Sequence, residues 1–139
     1  MDMSLIKSSE TKPERQIRAE LFRMGFRFRK NDRRLLGKPD IVLPHYHAVV
    51  FVNGCFWHAH GCSRFKMPKT NPEFWKEKFE RNKARDREQV EKLLKEGWRV
   101  GLVWECSILG KKRSVKITDV ASRICYWLEE EPHERFREF

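Results

Sequence analysis

The apolar positions between residues 11 and 25 recur every three or four residues, which is the spacing of one face of an α-helix. In "TKPERQIRAELFRMG" this face consists of Ile17, Leu21 and Met24. Thr11 can cap such a helix, with Glu14 as its capping-box partner three residues later. The pattern predicts a first helix that starts after Thr11 and ends at Gly25.

Four further runs have the character of β-strands. Phe26 and Phe28 alternate with arginines, as in a half-buried strand, and a basic loop with Gly and Pro follows. The short apolar runs "DIVLP" and "HAVVFVN" predict two strands that pair with each other. "RVGLVWEC" predicts a further buried strand near residue 100.

The rest of the chain divides into a long loop and two helices. Residues 53 to 71 are rich in Gly, Cys, His and Pro, and a loop of this length needs an internal staple to be ordered. Asn71 can cap a second helix with Pro72 in its first turn, running to Gly97. "ITDVASRICYWLEEE" predicts a closing helix. The expected apolar positions are Phe74, Phe79, Val90, Leu93 or Leu94, Ile117, Val120, Ile124 and Leu128.

The order helix, three strands, helix, strand, helix predicts an α/β fold with a mixed sheet flanked by helices. The chain has 139 residues and contains no repeat or internal linker. We therefore expect a single domain over residues 1–139, with residues 1–10 as a short N-terminal arm.

The charge balance indicates a polyanionic partner. Lys and Arg total 30 against 20 Asp and Glu, a net charge of +10. Nucleic acid is the first expectation and an anionic membrane surface the second. The basic runs "RFRKNDRR" and "KKR" can contact phosphates but carry no sequence specificity. No apolar run approaches the roughly 20 residues of a membrane span, and no secretory signal is present, so we expect a cytoplasmic, nucleoid-associated protein.

Four potential metal ligands are expected to meet at the long loop. Cys55, His60 and Cys62 lie within eight residues, and Cys106 ends a predicted strand that could return beside them. A Cys₃His set suits tetrahedral zinc and leaves no open position, so such a site would be structural and would staple the loop. The alternative is three unrelated polar loop residues and a buried cysteine. Cys125 is expected in the core.

Two residues have the character of catalytic groups. His58 could act as general base or acid, or be an alternative zinc ligand or a solvated loop residue. Asp40 starts a strand after "GKP", where a carboxylate could hold Mg²⁺ together with substrate phosphates, although a turn Asp after Pro is common. Two-metal nucleases use such carboxylates, and a common pattern adds Glu-x-Lys on the following strand, which "HAVVFVN" lacks.

Three large rings lie among cationic side chains, namely Phe56, Trp57 and Trp75. Such rings can stack on bases or wedge between base steps. The alternative is that they pack the loop and the second helix onto the sheet.

Five segments in this order resemble the very short patch repair (Vsr-type) DNA mismatch endonucleases. They are "SSETKPE", "GKPDIVLP", "FVNGCFWHAHGC", "FWKEKFERNKARD" and "GWRVGLVWEC". The resemblance runs from about Met3 to Cys106. It implies a restriction-endonuclease-like fold and a Mg²⁺-dependent enzyme, with two ions, that nicks duplex DNA 5′ of the thymine in a T:G mismatch. Such mismatches arise when 5-methylcytosine deaminates.

The resemblance also implies roles for individual residues. Asp40 matches the metal-binding aspartate, and Val52 matches a position whose backbone carbonyl also meets magnesium. His58 matches the histidine that handles the attacking water. Glu14 matches an acidic residue near the active site, although a purely capping role stays open.

The same resemblance covers the loop and the second helix. Cys55, His60, Cys62 and Cys106 match the family's zinc ligands. The rings of Phe56, Trp57 and Trp75 match those that intercalate beside the mismatch from the major groove. Lys78 matches a lysine near the mismatched pair, with a solvated lysine as the alternative.

Two departures from the family pattern bear on target selection. Asn53 stands where some members have a second active-site histidine, and the N-terminal arm is short.

We expect a monomer, because a mismatch is asymmetric and one active site makes one nick. The competing hypotheses are a non-catalytic zinc-stapled DNA-binding module and a nuclease of the same fold acting on undamaged or differently damaged DNA.

Overall fold

A mixed five-stranded sheet with helices packed on it forms the described part of the chain. The computed structural model describes residues 12–30, 34–35, 37–56, 58, 60–62 and 65–139. Its helices are α1 (Lys12–Arg23), α2 (Pro72–Lys95) and α3 (Arg113–Glu130). Its strands are β1 (Arg29–Lys30), β2 (Ile41–Leu43), β3 (Ala48–Asn53), β4 (Arg99–Trp104) and β5 (Phe136–Glu138). The predicted fold class, a mixed sheet flanked by helices, is confirmed.

The sheet follows the chain order β1-β2-β3-β4-β5. The first two pairings are antiparallel, with Ile41 opposite Val50 between β2 and β3. β3 and β4 are parallel along their whole length, from Ala48 beside Arg99 to Asn53 beside Trp104. A parallel pair needs a long crossover, and α2 supplies it. The loops after β3 and β4 therefore leave the same end of the sheet.

Side chains alternate between two apolar clusters because successive residues of a strand face opposite sides. The larger cluster joins the sheet to α1 and α3 and includes Ile17, Leu21, Val50, Val103 and Ile124. The smaller one lies under α2 and includes Val49, Leu93 and Val100. The sheet is thus covered on both faces, as its apolar central strands predict.

The helix predictions hold with four corrections. Met24, predicted on the apolar face of the first helix, lies beyond the end of α1 and is 37% exposed. The side chain of Asn71 makes no capping hydrogen bond, because this residue adopts a left-handed conformation (φ 52°). Phe74 is 54% exposed instead of packing on the sheet. α3 begins at Arg113, before the predicted apolar run. The proposed capping residue Thr11 lies outside the described residues.

The strand predictions need two corrections. Phe26 is buried and Phe28 partly buried, as the alternation predicted, but β1 itself begins only at Arg29. β5 was not predicted. It pairs parallel to β4, and the turn before it is held by Trp127, whose Nε1–H donates to the Glu134 carbonyl (2.8 Å).

None of the helices in the described part of the chain combines the length and the apolar character needed to cross a bilayer.

Candidate active site and metal centre

The four predicted zinc ligands come together at the end of β3 and β4. One ligand atom from each of Cys55, His60, Cys62 and Cys106 lies within 4.8 Å of all the others. His60 Nδ1 is 3.7 Å from Cys55 Sγ and 3.6 Å from Cys106 Sγ. A tetrahedral ion with Zn–S and Zn–N bonds of ordinary length separates S from N by about 3.6 Å. The donors and their spacing therefore fit a four-coordinate metal.

The chain brings these ligands together by local turns and by strand pairing. His60 N–H donates to the Cys55 carbonyl (2.9 Å), and Cys62 N–H donates to the His60 carbonyl (2.8 Å). Cys106 arrives from the turn after β4, and the Glu105 carboxylate accepts the Cys55 N–H (3.1 Å). The parallel β3–β4 pair thus aligns the distant cysteine with the loop.

The surroundings of Cys55 and Cys106 favour the neutral thiol over the thiolate when no metal is bound. Burial raises the pKa of Cys55 to about 12, with the neighbouring thiols contributing, and burial likewise raises the pKa of Cys106. A coordinated cation reverses this preference, because thiolates and not thiols bind metals. One buried and two partly buried thiols around one imidazole are therefore matched to a cation.

A second group of polar residues lies between α1 and the start of β2. The Asp40 carboxylate is buried, and its Oδ2 accepts the Val52 N–H at 2.6 Å. Glu14 from α1 is 1% exposed and lies beside Asp40, close enough to hydrogen-bond with it. Burial, with a second contribution from the Glu14 charge, raises the pKa of Asp40 to about 8. Two adjacent carboxylates supply the oxygen donors that Mg²⁺ prefers.

A buried arginine accompanies these two acids. Arg18 is 4% exposed, and its Nη1 lies 3.5 Å from Glu14 Oε2, one helical turn away. Its positive charge lowers the pKa of Asp40 and opposes the effect of burial. The sequence does not distinguish Arg18 from its neighbours, because an arginine in a helix this rich in charge is usually solvated.

His58 is held by an aspartate that the sequence analysis missed. Its Nδ1 is in hydrogen-bond contact with Asp86 Oδ2 on α2, and both side chains are partly exposed. The His58 ring also meets Trp104 edge-on, at 6.0 Å between centroids. Nothing in the local sequence separates Asp86 from its charged neighbours. Only the packing of α2 beside the loop selects it.

Four rings form a cluster where α2 meets the loop, namely Phe56, Phe65, Trp75 and Phe79. Phe79 is the buried centre, and Phe56 and Trp75 both contact it, with centroids 5.4 and 5.7 Å away. Phe56 and Trp75 stay partly exposed, and Lys78 Nζ lies 5.7 Å above the Trp75 ring. These rings therefore combine a packed side with an accessible side. Trp57 lies outside the described residues.

Comparison with known proteins points in one direction. Residues 1–64 match the family model for the DNA mismatch endonuclease Vsr. The chain is 50% identical over 109 residues to the type II nicking enzyme V.NmeAIP of Neisseria meningitidis serogroup A, covering 78% of each protein. It is 41% identical over 129 residues to the DNA mismatch endonuclease Vsr of Escherichia coli K12, covering 91% of this chain and 81% of that protein.

Proposed function

The chain is a member of the DNA mismatch endonuclease Vsr family, and from this premise we propose that it nicks duplex DNA 5′ of the thymine in a T:G mismatch. Membership makes it a DNA endonuclease. The proposal adds the substrate, a mismatch left by deamination of 5-methylcytosine, and the chemistry, Mg²⁺-dependent hydrolysis of one phosphodiester. The observation that carries it is the buried Asp40–Glu14 pair at the end of the sheet from which the His58 loop leaves.

Asp40 is the proposed principal magnesium ligand, with the Val52 carbonyl as a second ligand and Glu14 close by. The Val52 N–H fixes one Asp40 oxygen, so the carboxylate has a defined orientation. When bound, Mg²⁺, as two ions, stabilises the charge that develops on the attacking and leaving oxygens. The protein's part is to hold the carboxylates in place before DNA arrives.

His58 is the proposed general base for the attacking water. Its Nδ1 contact with Asp86 leaves Nε2 as the nitrogen that can accept a proton. The aspartate fixes the ring orientation and stabilises the imidazolium that forms. Asp86 is accordingly a positioning residue in this proposal.

The Cys55, His60, Cys62 and Cys106 cluster is proposed to hold a structural Zn²⁺. The four donors fill a tetrahedral shell, so they leave no position for water or substrate. His58 lies between two of the ligands in the sequence. The metal would therefore fix the loop that presents the catalytic histidine and the neighbouring rings.

The exposed sides of Phe56 and Trp75, together with Trp57, are proposed to enter the base stack beside the mismatch, with Lys78 close to the mismatched pair. Ring insertion costs unstacking free energy, and this cost is least at a mismatched step. Insertion therefore converts weak pairing into selectivity. The net charge of +10 supplies the general attraction for DNA.

The remaining parts of the proposal concern assembly and location. We propose a single-domain monomer that acts in the cytoplasm on chromosomal DNA. A non-catalytic zinc-stapled DNA-binding module is not favoured, because the family and its relatives are endonucleases and nicking enzymes. The alternative of a nuclease that acts on undamaged or differently damaged DNA is distinguished by comparing cleavage of T:G, other mismatched and matched duplexes.

The test is a nicking assay on strand-labelled duplexes that carry every mismatch in turn, beside a matched duplex, with and without Mg²⁺. The variant Asp40→Asn is compared with Asp119→Asn, which changes an exposed aspartate paired with Arg123 on α3. We expect Mg²⁺-dependent cutting 5′ of the mismatched thymine, lost in Asp40→Asn and retained in Asp119→Asn. Cutting of matched duplex at an equal rate would refute the mismatch specificity, and cutting by Asp40→Asn would refute the assigned metal site.

A further inference from the structure

A buried cation lies beside the two buried acids of the proposed magnesium site. Arg18 projects from α1 one turn after Glu14, and its side chain is 5% exposed. The 3.5 Å approach of Nη1 to Glu14 Oε2 is within ion-pair distance. Burying a guanidinium is costly unless charged or polar groups around it compensate. The Glu14 carboxylate is the negative partner that compensates for the burial of Arg18.

The acids need such a charge when no divalent ion is bound. Glu14 is 1% exposed and Asp40 is 8% exposed, so negative charge on this adjacent pair is costly unless a cation offsets it. The neighbouring strand offers no help, because β3 reads "AVVFVN" and contains no lysine or arginine. Among the described residues, α1 supplies the cation that this strand lacks.

An exposed pair on the same helix shows what an ordinary surface ion pair looks like here. Arg23 contacts Glu20 at the end of α1, and the Arg23 side chain is 68% exposed. Pairs of this kind contribute little to stability. Arg18 differs in its burial and in having a second acid close by.

We propose that Arg18 is a positioning residue that acts as the internal counter-cation of the Glu14–Asp40 pair. In this role it raises the Mg²⁺ concentration at which the site is half occupied. This rests on the proposed function, which assigns Mg²⁺ to Asp40. Before Mg²⁺ binds, Arg18 supplies the positive charge that offsets the negative charge of the Glu14–Asp40 pair in the folded protein. Once Mg²⁺ is present, the positive charge of Arg18 repels the ion. Arg18 therefore stabilises the Mg²⁺-free protein and lowers the affinity of the site for Mg²⁺.

The test follows thermal unfolding of the full zinc-loaded chain in Mg²⁺-free buffer and during titration with MgCl₂, with variants Arg18→Met, Arg18→Lys and Arg23→Met. Without Mg²⁺, Arg18→Met is expected to lower Tm by about 10 °C or more, because a buried carboxylate loses its partner. Mg²⁺ should restore much of that loss and reach half its effect at a several-fold lower concentration than in the parent protein. Arg18→Lys should stay close to the parent, and Arg23→Met should change neither quantity.

A double variant keeps the proposal decidable if Arg18→Met does not fold. Glu14→Gln with Arg18→Met removes both charges, so it should fold and, without Mg²⁺, unfold at a higher Tm than Arg18→Met alone. A double variant no better than the single one would overturn the proposal. So would an equal loss of Tm with and without Mg²⁺, which is the result expected if Arg18 only fills space.

The failure of this inference is distinguishable from failure of the proposed function. If the parent protein shows neither Mg²⁺-dependent nicking nor a shift of Tm with Mg²⁺, the metal assignment fails, and Arg18 loses its role with it. If Mg²⁺ raises the Tm of the parent, and raises the Tm of Arg18→Met by the same amount at every Mg²⁺ concentration, only the inference about Arg18 fails.

Discussion

The indole of Trp104 lies flat against the imidazole of His60, with centroids 4.0 Å apart and an interplanar angle of 4°. The same indole meets His58 edge-on. Trp104 ends β4, next to Asn53 of β3, so it sits where the sheet gives way to the loop. One side chain therefore links a proposed zinc ligand to the proposed catalytic base.

Replacing Trp104 with leucine should loosen both histidines. We expect faster release of zinc to a chromogenic chelator and a slower rate of nicking, because the stacking surface for His60 and the edge contact to His58 are lost. Trp104→Phe is the control, since it keeps a ring and removes an Nε1–H that is buried without a hydrogen-bond partner among the described residues. If leucine and phenylalanine behave alike, the ring has no special role.

Removing one thiol of the cluster should release the metal. Cys62→Ser is expected to lose bound zinc and to unfold at a lower temperature, because structural zinc contributes to folding. Cys125→Ser changes a partly buried cysteine on α3, outside the cluster, and should keep a full complement of zinc. Elemental analysis of both purified proteins, beside their melting curves, makes the comparison. Full zinc in Cys62→Ser would contradict the assigned ligand set.

The Asp86 contact predicts a rate effect without a binding effect. Asp86→Asn should lower kcat for nicking about tenfold or more, because the amide no longer stabilises the charge that forms on His58. KM for the mismatched duplex should hardly change, and Asp86→Glu should recover part of the rate. Steady-state nicking rates measured over a range of duplex concentrations give both quantities. A rise in KM at constant kcat would instead assign Asp86 to DNA binding.

The raised pKa of Asp40 predicts how the stability of the protein without Mg²⁺ depends on pH. Burial and Glu14 raise this pKa from 3.8 to about 8, so between these values the folded protein keeps a proton that the unfolded chain loses. Asp40 thus contributes full stability below about pH 4, loses it as pH rises towards about 8, and changes nothing further above that. In Mg²⁺-free buffer with the zinc site loaded, the parent should lose more stability than Asp40→Asn between about pH 5 and about pH 8. Equal slopes in denaturant unfolding would contradict the assignment.

Phe74 should contribute to DNA binding although the helix pattern placed it in the core. It is 54% exposed and packs edge-on against Trp75, with centroids 5.3 Å apart. Phe74→Ala should weaken binding to a T:G duplex about fivefold or more, because an apolar contact beside the rings proposed to enter the base stack is lost. Phe22→Ala is the matched control, since Phe22 is 55% exposed on α1. Equal affinities of the two variants in fluorescence anisotropy would remove Phe74 from the interface.

The sequence alone determined what depends on residues close together in the chain. Periodicity and local spacing directly indicated the helical spacing of Ile17 and Leu21, the apolar runs of β2 to β4 and the crowding of three metal ligands on one loop. The mixed sheet followed from the order of these elements. The family was also identifiable, because five of its segments occur in order.

The tertiary structure decided what depends on residues far apart. Cys106 joins the loop because β3 and β4 pair in parallel, and His58 meets Asp86 because α2 crosses beside that loop. β5 has only three residues, too few for a period to show, and it exists because the edge of β4 accepts it. The burial of Arg18 was hidden for the same reason. A charge is read from the sequence, but its solvation is set by what packs around it.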